Sequence, residues 1–173
     1  IATGVYKARD IEAPGVDAKG VVRALDYLTA SNRAGFGDTV PEHLDGSLLA
    51  TDKHVVVIGG GDTAMDCVRT AVRQGAKSVK CLYRRDRDNM PGSQREVKNA
   101  EEEGVEFVWL SAPLNFEGGA QVSAVKASKM RLGAPDASGR RAPEPDLGSE
   151  FTLEADLVIQ ALGFEPEDLQ QMF

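Results

Sequence analysis

The chain has 173 residues, of which 42% are hydrophobic, and it carries a formal net charge of −7. This length suits one compact domain with a core of ordinary size. The acidic balance argues against a general affinity for nucleic acid or for an anionic membrane, and no apolar run is long enough to span a bilayer. The first residues lack the basic and apolar regions of a signal peptide, so we expect none.

The chain has only two cysteines, Cys67 and Cys81, and they do not form a C-x-x-C pair. We therefore expect neither a disulfide framework nor a cysteine-based zinc site. Both are expected to be buried, small apolar residues in a reducing compartment, which favours a cytoplasmic protein. His43 and His54 lack the partners that catalysis or metal binding requires, so no role is assigned to them.

The first third of the chain predicts an extended segment, a helix and a loop. Residues 1–15 form the extended segment, which ends in a turn at Pro14-Gly15. Apolar residues recur at helical spacing over residues 20–31, which predicts a helix. Residues 32–51 are rich in Gly, Asp, Pro and Ser, which predicts a loop with one helical turn near residues 41–44.

The central stretch predicts a strand, a glycine turn, a helix and a second strand. Residues 55–58 are all apolar and β-branched, as expected of a strand that is covered on both faces. Gly59, Gly61 and Ala64 follow with the spacing G-x-G-x-x-A. A helix is expected over residues 62–74 and a strand over residues 78–83, with Gly75 as the helix stop. This βαβ context is the one that a dinucleotide-binding turn requires.

The glycine turn predicts a site for a pyrophosphate. In this pattern the first glycine makes the tight turn, the second lets the phosphates approach the backbone, and the small third residue lets helix and strand pack closely. The phosphates are expected on the free N–H groups of the following helix. Gly60, Asp62 and Thr63 are expected to line the turn. Asp62 suits a helix cap better than a phosphate contact, and Thr63 either lines the site or bonds only its own backbone.

The end of the second strand predicts which nucleotide binds. NAD-binding units place an acidic residue there for the ribose hydroxyls. Here Arg84 and Arg85 stand instead, and a guanidinium suits a 2′-phosphate because it donates paired, charge-assisted hydrogen bonds. This favours NADP(H) over NAD and argues against FAD at this turn. Stacking of an arginine on adenine remains an alternative, and Arg85 could instead be a surface charge.

The C-terminal half predicts a Rossmann-like fold with an antiparallel insertion. A helix is expected over residues 93–103, with Ser93 and Glu96 as a capping box, followed by a strand over residues 105–110. Strands at 121–132 and 150–153 flank a proline-rich stretch, residues 133–148, without an intervening helix. They predict an antiparallel ribbon in place of a crossover helix. The fold class is thus α/β: a three-layer, Rossmann-like domain with a parallel sheet and an antiparallel β-ribbon crossover.

Residues 156–162 predict a buried strand, and Gly163 follows it. Open α/β sheets bind ligands at the carboxyl ends of their strands. Gly163 therefore either lets nicotinamide or flavin approach or simply ends the strand in a turn. No residue is expected to act as an acid or base, because the cofactors carry the chemistry of hydride transfer.

Motifs spread over the whole chain carry a family resemblance. They are Ala2-Thr3-Gly4 with Arg9-Asp10-Ile11, residues 24–28, residues 59–67, Tyr83-Arg84-Arg85, Asn89-Met90-Pro91 with Arg95-Glu96, residues 100–104 and residues 161–166. Together they resemble the small (β) subunits of bacterial NADPH-dependent glutamate synthases, a family of flavin-dependent pyridine nucleotide oxidoreductases.

The resemblance implies that this chain is one domain of a longer flavoprotein. In that family an NADPH-binding domain interrupts an FAD-binding domain. Residues 1–18 and 164–173 would be the crossing segments, and residues 19–163 the NADPH domain with an antiparallel insert at about 112–154. The missing FAD domain and the large subunit of glutamate synthase are the implied partners, together with NADPH itself.

The resemblance also implies a reaction. The complete subunit would pass a hydride from NADPH to FAD, and iron–sulfur clusters would carry electrons towards glutamate synthesis from glutamine and 2-oxoglutarate. This chain alone would bind NADPH without holding FAD or the clusters, and would be inactive. Two alternatives stay open: the NADPH domain of another iron–sulfur flavoprotein subunit, and a module that senses NADP(H) without chemistry.

Overall fold

The computed structural model of the chain describes residues 7–135 and 141–165. Within these ranges the elements run, in chain order, β1 (Lys7–Ala8), β2 (Val21–Arg23), α1 (Ala24–Gly35), α2 (Pro41–Leu44), β3 (His54–Ile58), α3 (Asp62–Arg73), β4 (Ser78–Leu82), α4 (Gln94–Glu102), β5 (Glu106–Val108), β6 (Ser111–Glu117), β7 (Ala124–Pro135), β8 (Arg141–Glu154), β9 (Leu157–Gln160) and β10 (Phe164–Glu165). None of the helices described is long and apolar enough to cross a membrane.

A five-stranded parallel sheet, in the order β2-β9-β3-β4-β5, forms the centre of the fold. Its central strands are apolar and β-branched on both faces, which suits a sheet that is covered on both sides. The side chains of β3 alternate between two cores: Val55 and Val57 pack with α1, α3 and α4, whereas Val56 and Ile58 pack against β6 and β7. The layers are therefore helices, parallel sheet and antiparallel sheet, which confirms the predicted fold class.

The third layer is a three-stranded antiparallel sheet in the order β6-β7-β8. It confirms the predicted ribbon crossover, but β6 was not expected and β8 is much longer than the predicted strand at 150–153. The proline-rich stretch at 133–148 was expected to be rich in turns, but its described residues belong to the end of β7 and the start of β8. Pro143 and Pro145 lie on β8, opposite Leu132 and Met130 of β7. Because β8 is an edge strand, it tolerates prolines, which lack the backbone N–H that a central strand would need on both sides.

Two local predictions were wrong. The helix expected over residues 20–31 begins only at Ala24, because Val21–Arg23 pair in parallel with β9 as strand β2, and it continues to Gly35, into the predicted loop. The capping box at Ser93 does not form, since no side chain caps α4. Glu96 instead pairs with Arg69 of α3, and Glu103 accepts a second contact from Arg69 at 2.7 Å. A long-range ion pair thus takes the place of the hydrogen bonds expected within the first turn of α4.

The two ends of the described chain meet in a short ladder. β1 and β10 pair in antiparallel fashion, and Lys7 Nζ lies 2.9 Å from the carboxylate of Glu165. Asp10 then accepts hydrogen bonds from Arg23, with both of its oxygens 2.9 Å from Nη2. These contacts hold the first and last described residues together and tie Asp10 to Arg23, at the carboxyl end of β2. Residues 1–6 and 166–173 lie outside the described ranges.

Candidate nucleotide-binding site

The glycine turn lies at the carboxyl edge of the parallel sheet, between β3 and α3. Gly59 has a φ of +149°, and a Cβ there would lie 2.1 Å from the carbonyl oxygen of Ala161. A Cβ at Gly60 would lie 2.4 Å from the ring of Tyr83. Both glycines are therefore required by the packing of the protein itself, since any larger residue would push the turn away from β9 or from β4.

Gly61 differs from the other two glycines because the space in front of it is open. A Cβ at Gly61 would meet no heavy atom within 4 Å, and its backbone is extended, with φ −92° and ψ 179°. It immediately precedes α3, whose first N–H groups have no partner within the helix. Ala64 is fully buried behind the turn. The open space, the free N–H groups and the positive helix end together form a cradle for an anion.

Asp62 does not cap its own helix, contrary to the sequence prediction. α3 has Gly61 as its N-cap and no side-chain cap. The carboxylate of Asp62 instead accepts the backbone N–H of Ser93 at 3.1 Å, at the start of α4. The first turns of two helices therefore lie side by side at this edge of the sheet.

Arg84 and Arg85 follow β4 directly, at the same edge of the sheet. Arg84 is exposed, and within residues 7–135 and 141–165 its side chain pairs with no carboxylate. Arg85 is partly buried, and its Nε is a buried donor without a partner in the part of the chain that the structure describes. Within the described residues, both guanidinium groups therefore have hydrogen-bond donors that the protein itself does not use.

Residues 84–93, here called the arginine loop, fold back onto the glycine turn. The N–H of Gly92 donates to the carbonyl oxygen of Gly60 at 2.9 Å, and the hydroxyl of Tyr83 donates to that of Asn89 at 3.0 Å. Met90, a residue of this loop, is buried in the hydrophobic core. Sequence reasoning missed this arrangement. The sequence signal that could have indicated it is Gly92. The structure shows why a glycine stands there, since a Cβ at Gly92 would lie 3.0 Å from the carbonyl oxygen of Gly60.

Gly163 lies on the other side of the turn, after β9. It is exposed, has a φ of +81°, and accepts the N–H of Arg9 at 3.1 Å through its carbonyl oxygen. A small cleft brings Gly163 together with Thr63, Arg23 and Leu25. The structure thus places every residue singled out for cofactor binding at one edge of the sheet, with the glycine turn between Gly163 and the two arginines.

The two cysteines support the turn from below. Both are free and buried, and burial raises the pKa of each thiol, so both stay protonated. Cys81 Sγ lies 3.4 Å from the carbonyl oxygen of Gly59 and donates to it. Their role in the described structure is packing and not redox chemistry.

A second, larger depression of about 1500 Å³ lies at the opposite, amino edge of the sheet. Lys53, Lys77 and Asp156 line it, and each precedes a sheet strand. No group of three or more His, Cys, Asp or Glu side chains within the described ranges is placed to hold a metal ion.

Comparison with known proteins shows the family of the chain. The family model for pyridine nucleotide-disulphide oxidoreductases matches residues 1–172. The glutamate synthase [NADPH] small chain of Azospirillum brasilense is 66% identical over 173 residues, which cover all of this chain and 36% of that protein. The NADPH-Fe(3+) oxidoreductase subunit beta of Geobacter sulfurreducens is 41% identical over 96% of this chain and 24% of that protein. The chain thus spans little more than a third of the first relative and a quarter of the second.

The fold also matches that of a solved structure. FprA of Mycobacterium tuberculosis, solved in complex with NADPH, superposes with a TM-score of 0.74 over 95% of this chain and 49% of its own. The sequence identity is 18%, so the likeness concerns the fold.

Proposed function

The chain belongs to the pyridine nucleotide-disulphide oxidoreductase family, and we propose that it is the NADPH-binding domain of a flavin-dependent oxidoreductase. The observation that carries the proposal is the open space in front of Gly61, at the start of α3 and at the same edge of the sheet as Arg84. A pyrophosphate fits that space, and the guanidinium groups at the end of β4 supply the charge that a 2′-phosphate requires.

Each residue of the site has a separate task. The N–H groups at the start of α3, at Asp62 and Thr63, bind the pyrophosphate, while Ala64 keeps the helix close to β3. Arg84 and Arg85 bind the 2′-phosphate. The cleft between Thr63 and Gly163 leads towards the nicotinamide end, where Gly163 lets the ring approach because it has no side chain. NADPH, once bound, supplies a hydride, and the chain's residues only bind and orient it.

The finer assignment is to the NADPH domain of glutamate synthase. The identity of 66% to the small chain of Azospirillum brasilense supports it. In this proposal the hydride passes to FAD in the rest of the subunit, and iron–sulfur clusters carry the electrons to a large subunit that makes glutamate from glutamine and 2-oxoglutarate. The buried free thiols fit a reducing, cytoplasmic setting.

The two ends of the chain fit the role of crossing segments to an FAD domain. β1 and β10 run in opposite directions side by side, so the chain enters and leaves the domain at one place. That place is the carboxyl edge, next to Gly163. We propose that residues 1–18 and 164–173 cross there to the FAD domain, and that residues 19–163 bind NADPH.

A second candidate is the same domain in another iron–sulfur flavoprotein. The relative from Geobacter sulfurreducens, an NADPH-Fe(3+) oxidoreductase subunit, favours it, although its identity is lower. The third candidate is a module that senses NADP(H) and catalyses no reaction. Glutamine-dependent oxidation of NADPH by the full-length protein, mixed with the large subunit, separates the first candidate from the other two.

Titration of the chain with NADPH and with NADH tests the nucleotide assignment. We expect Arg84→Ala to weaken NADPH binding by about 1.5–3 kcal/mol, the scale of a hydrogen bond to a charged group, and to leave NADH binding unchanged. Arg33→Ala is the matched control, because Arg33 is an exposed arginine that pairs with Asp38 in a different part of the fold. Equal losses for the two nucleotides contradict the assignment of the 2′-phosphate to Arg84.

A further inference from the structure

The side chain of Tyr83 joins the two halves of the proposed site. It is 7% exposed, and its ring lies directly against Gly60. Trp109 packs edge-on against the ring, with the centroids 6.4 Å apart. The ring is therefore held between the glycine turn and Trp109, which follows β5, and its hydroxyl points towards the arginine loop.

The hydroxyl of Tyr83 closes the first part of the arginine loop, residues 84–89, with a hydrogen bond. It donates to the carbonyl oxygen of Asn89 at 3.0 Å, so that Arg84 and Arg85 lie between two points joined by a hydrogen bond. Within this closed segment, the carboxylate of Asp86 accepts the N–H of Asn89 at 3.0 Å. Arg85 is also fastened, because its carbonyl oxygen accepts the N–H of Leu110 at 3.0 Å.

We propose that Tyr83 is a positioning residue that sets the preference of this site for a 2′-phosphate. The proposal rests on the function proposed above. The hydroxyl holds the arginine loop in one conformation before the nucleotide arrives, so less ordering entropy is lost when Arg84 and Arg85 bind phosphate. The ring supports Gly60, and so the turn that every nucleotide uses. One side chain thus has two separable effects.

The two effects can be separated with two substitutions. Tyr83→Phe removes only the hydroxyl, and we expect it to raise the Kd of NADPH about two- to tenfold, the range of one neutral hydrogen bond, while the Kd of NADH stays the same. The same contrast is expected between 2′,5′-ADP, whose Kd should rise about two- to tenfold, and ADP, whose Kd should stay the same. Tyr83→Leu also removes the ring, and should weaken the binding of all four ligands.

Tyr27→Phe is the matched control. Tyr27 is fully buried, and its hydroxyl donates to the side chain of Gln74 at 2.9 Å. Loss of that hydroxyl should lower the melting temperature without changing the ratio of NADPH to NADH affinity. A merely structural role of Tyr83 would produce the same result, so the ratio is the deciding measurement.

The outcomes distinguish this inference from the proposed function. If Tyr83→Phe keeps the wild-type ratio, or weakens NADPH and NADH equally, the hydroxyl does not position the arginines and the inference is wrong. If the unaltered chain binds NADPH no better than NADH, the proposed 2′-phosphate site is wrong as well.

Discussion

We expect Gly61→Ala to weaken NADPH binding and to leave the fold intact. The added methyl group meets no protein atom within 4 Å, and the backbone of Gly61 is in a conformation that alanine adopts freely. The free energy of unfolding should stay within about 1 kcal/mol of wild type, because the restriction of the unfolded chain by alanine offsets part of the cost of placing alanine at the N-cap of α3. The same methyl group occupies the space that the pyrophosphate needs.

The loss of affinity follows from the size of the intruding group. One extra methyl group in a close contact costs about 1–3 kcal/mol, which corresponds to a Kd about five to 150 times higher. The assay is a titration followed by NADPH fluorescence, combined with urea unfolding of the same samples. Wild-type affinity in Gly61→Ala would refute the placement of the pyrophosphate.

Two other glycines serve as controls. Gly59→Ala places its Cβ 2.1 Å from the carbonyl oxygen of Ala161 at a φ of +149°. This substitution should therefore lower the free energy of unfolding of the protein without ligand. Gly35→Ala adds a methyl group at the end of α1, where no heavy atom lies within 4 Å. It should bind NADPH as the wild type does.

Two further predictions concern carboxylates on α3 and at the end of α4. Hydrogen bonding to Arg69 holds the pKa of Glu103 below its usual value. A lowered carboxyl pKa stabilises the fold above the unfolded-state pKa, and this contribution is lost as the pH falls through the folded-state pKa. Glu103→Gln should therefore lower the urea midpoint near pH 7 and lower it progressively less as the pH falls below the usual carboxyl range, whereas a loss that does not change with pH contradicts the ion pair. Asp62→Asn keeps an acceptor for the N–H of Ser93 but removes a negative charge beside the pyrophosphate. It should tighten NADPH binding at low salt, with the gain shrinking at about 0.5 M salt, and unchanged affinity at low salt contradicts a phosphate at this helix end.

The central βαβ unit was predictable because its signals are local. A β-branched strand, a glycine turn and a helix stop at Gly75 fall within one continuous stretch, and the observed β3, α3 and β4 begin and end within a residue or so of the prediction. The strand β2 was not predictable in this way. Val21 and Val22 fit a helical spacing equally well, and their partner strand, β9, is distant in the sequence.

The contacts that complete the site were also beyond a local pattern. Glu96 lies three residues after Ser93, as a capping box requires, but Arg69 on another helix binds it instead. The turn at Gly59–Gly61 was recognised from its spacing. The arginine loop that folds onto it is held by Tyr83, Gly92 and Asp62, residues whose partners become visible only in three dimensions.

The position of β9 has a consequence for how the protein is made. β9 is the last of the five strands of the parallel sheet to be synthesised, yet it lies between the first two, β2 and β3. Until residues 157–160 have left the ribosome, β2 has no neighbour in that sheet and β3 has one open edge. Such edges invite pairing with other chains, and closing contacts over so long a separation in sequence is slow. A translational pause just before β9 would therefore prolong the period in which the nascent chain is most exposed to aggregation and most dependent on chaperones.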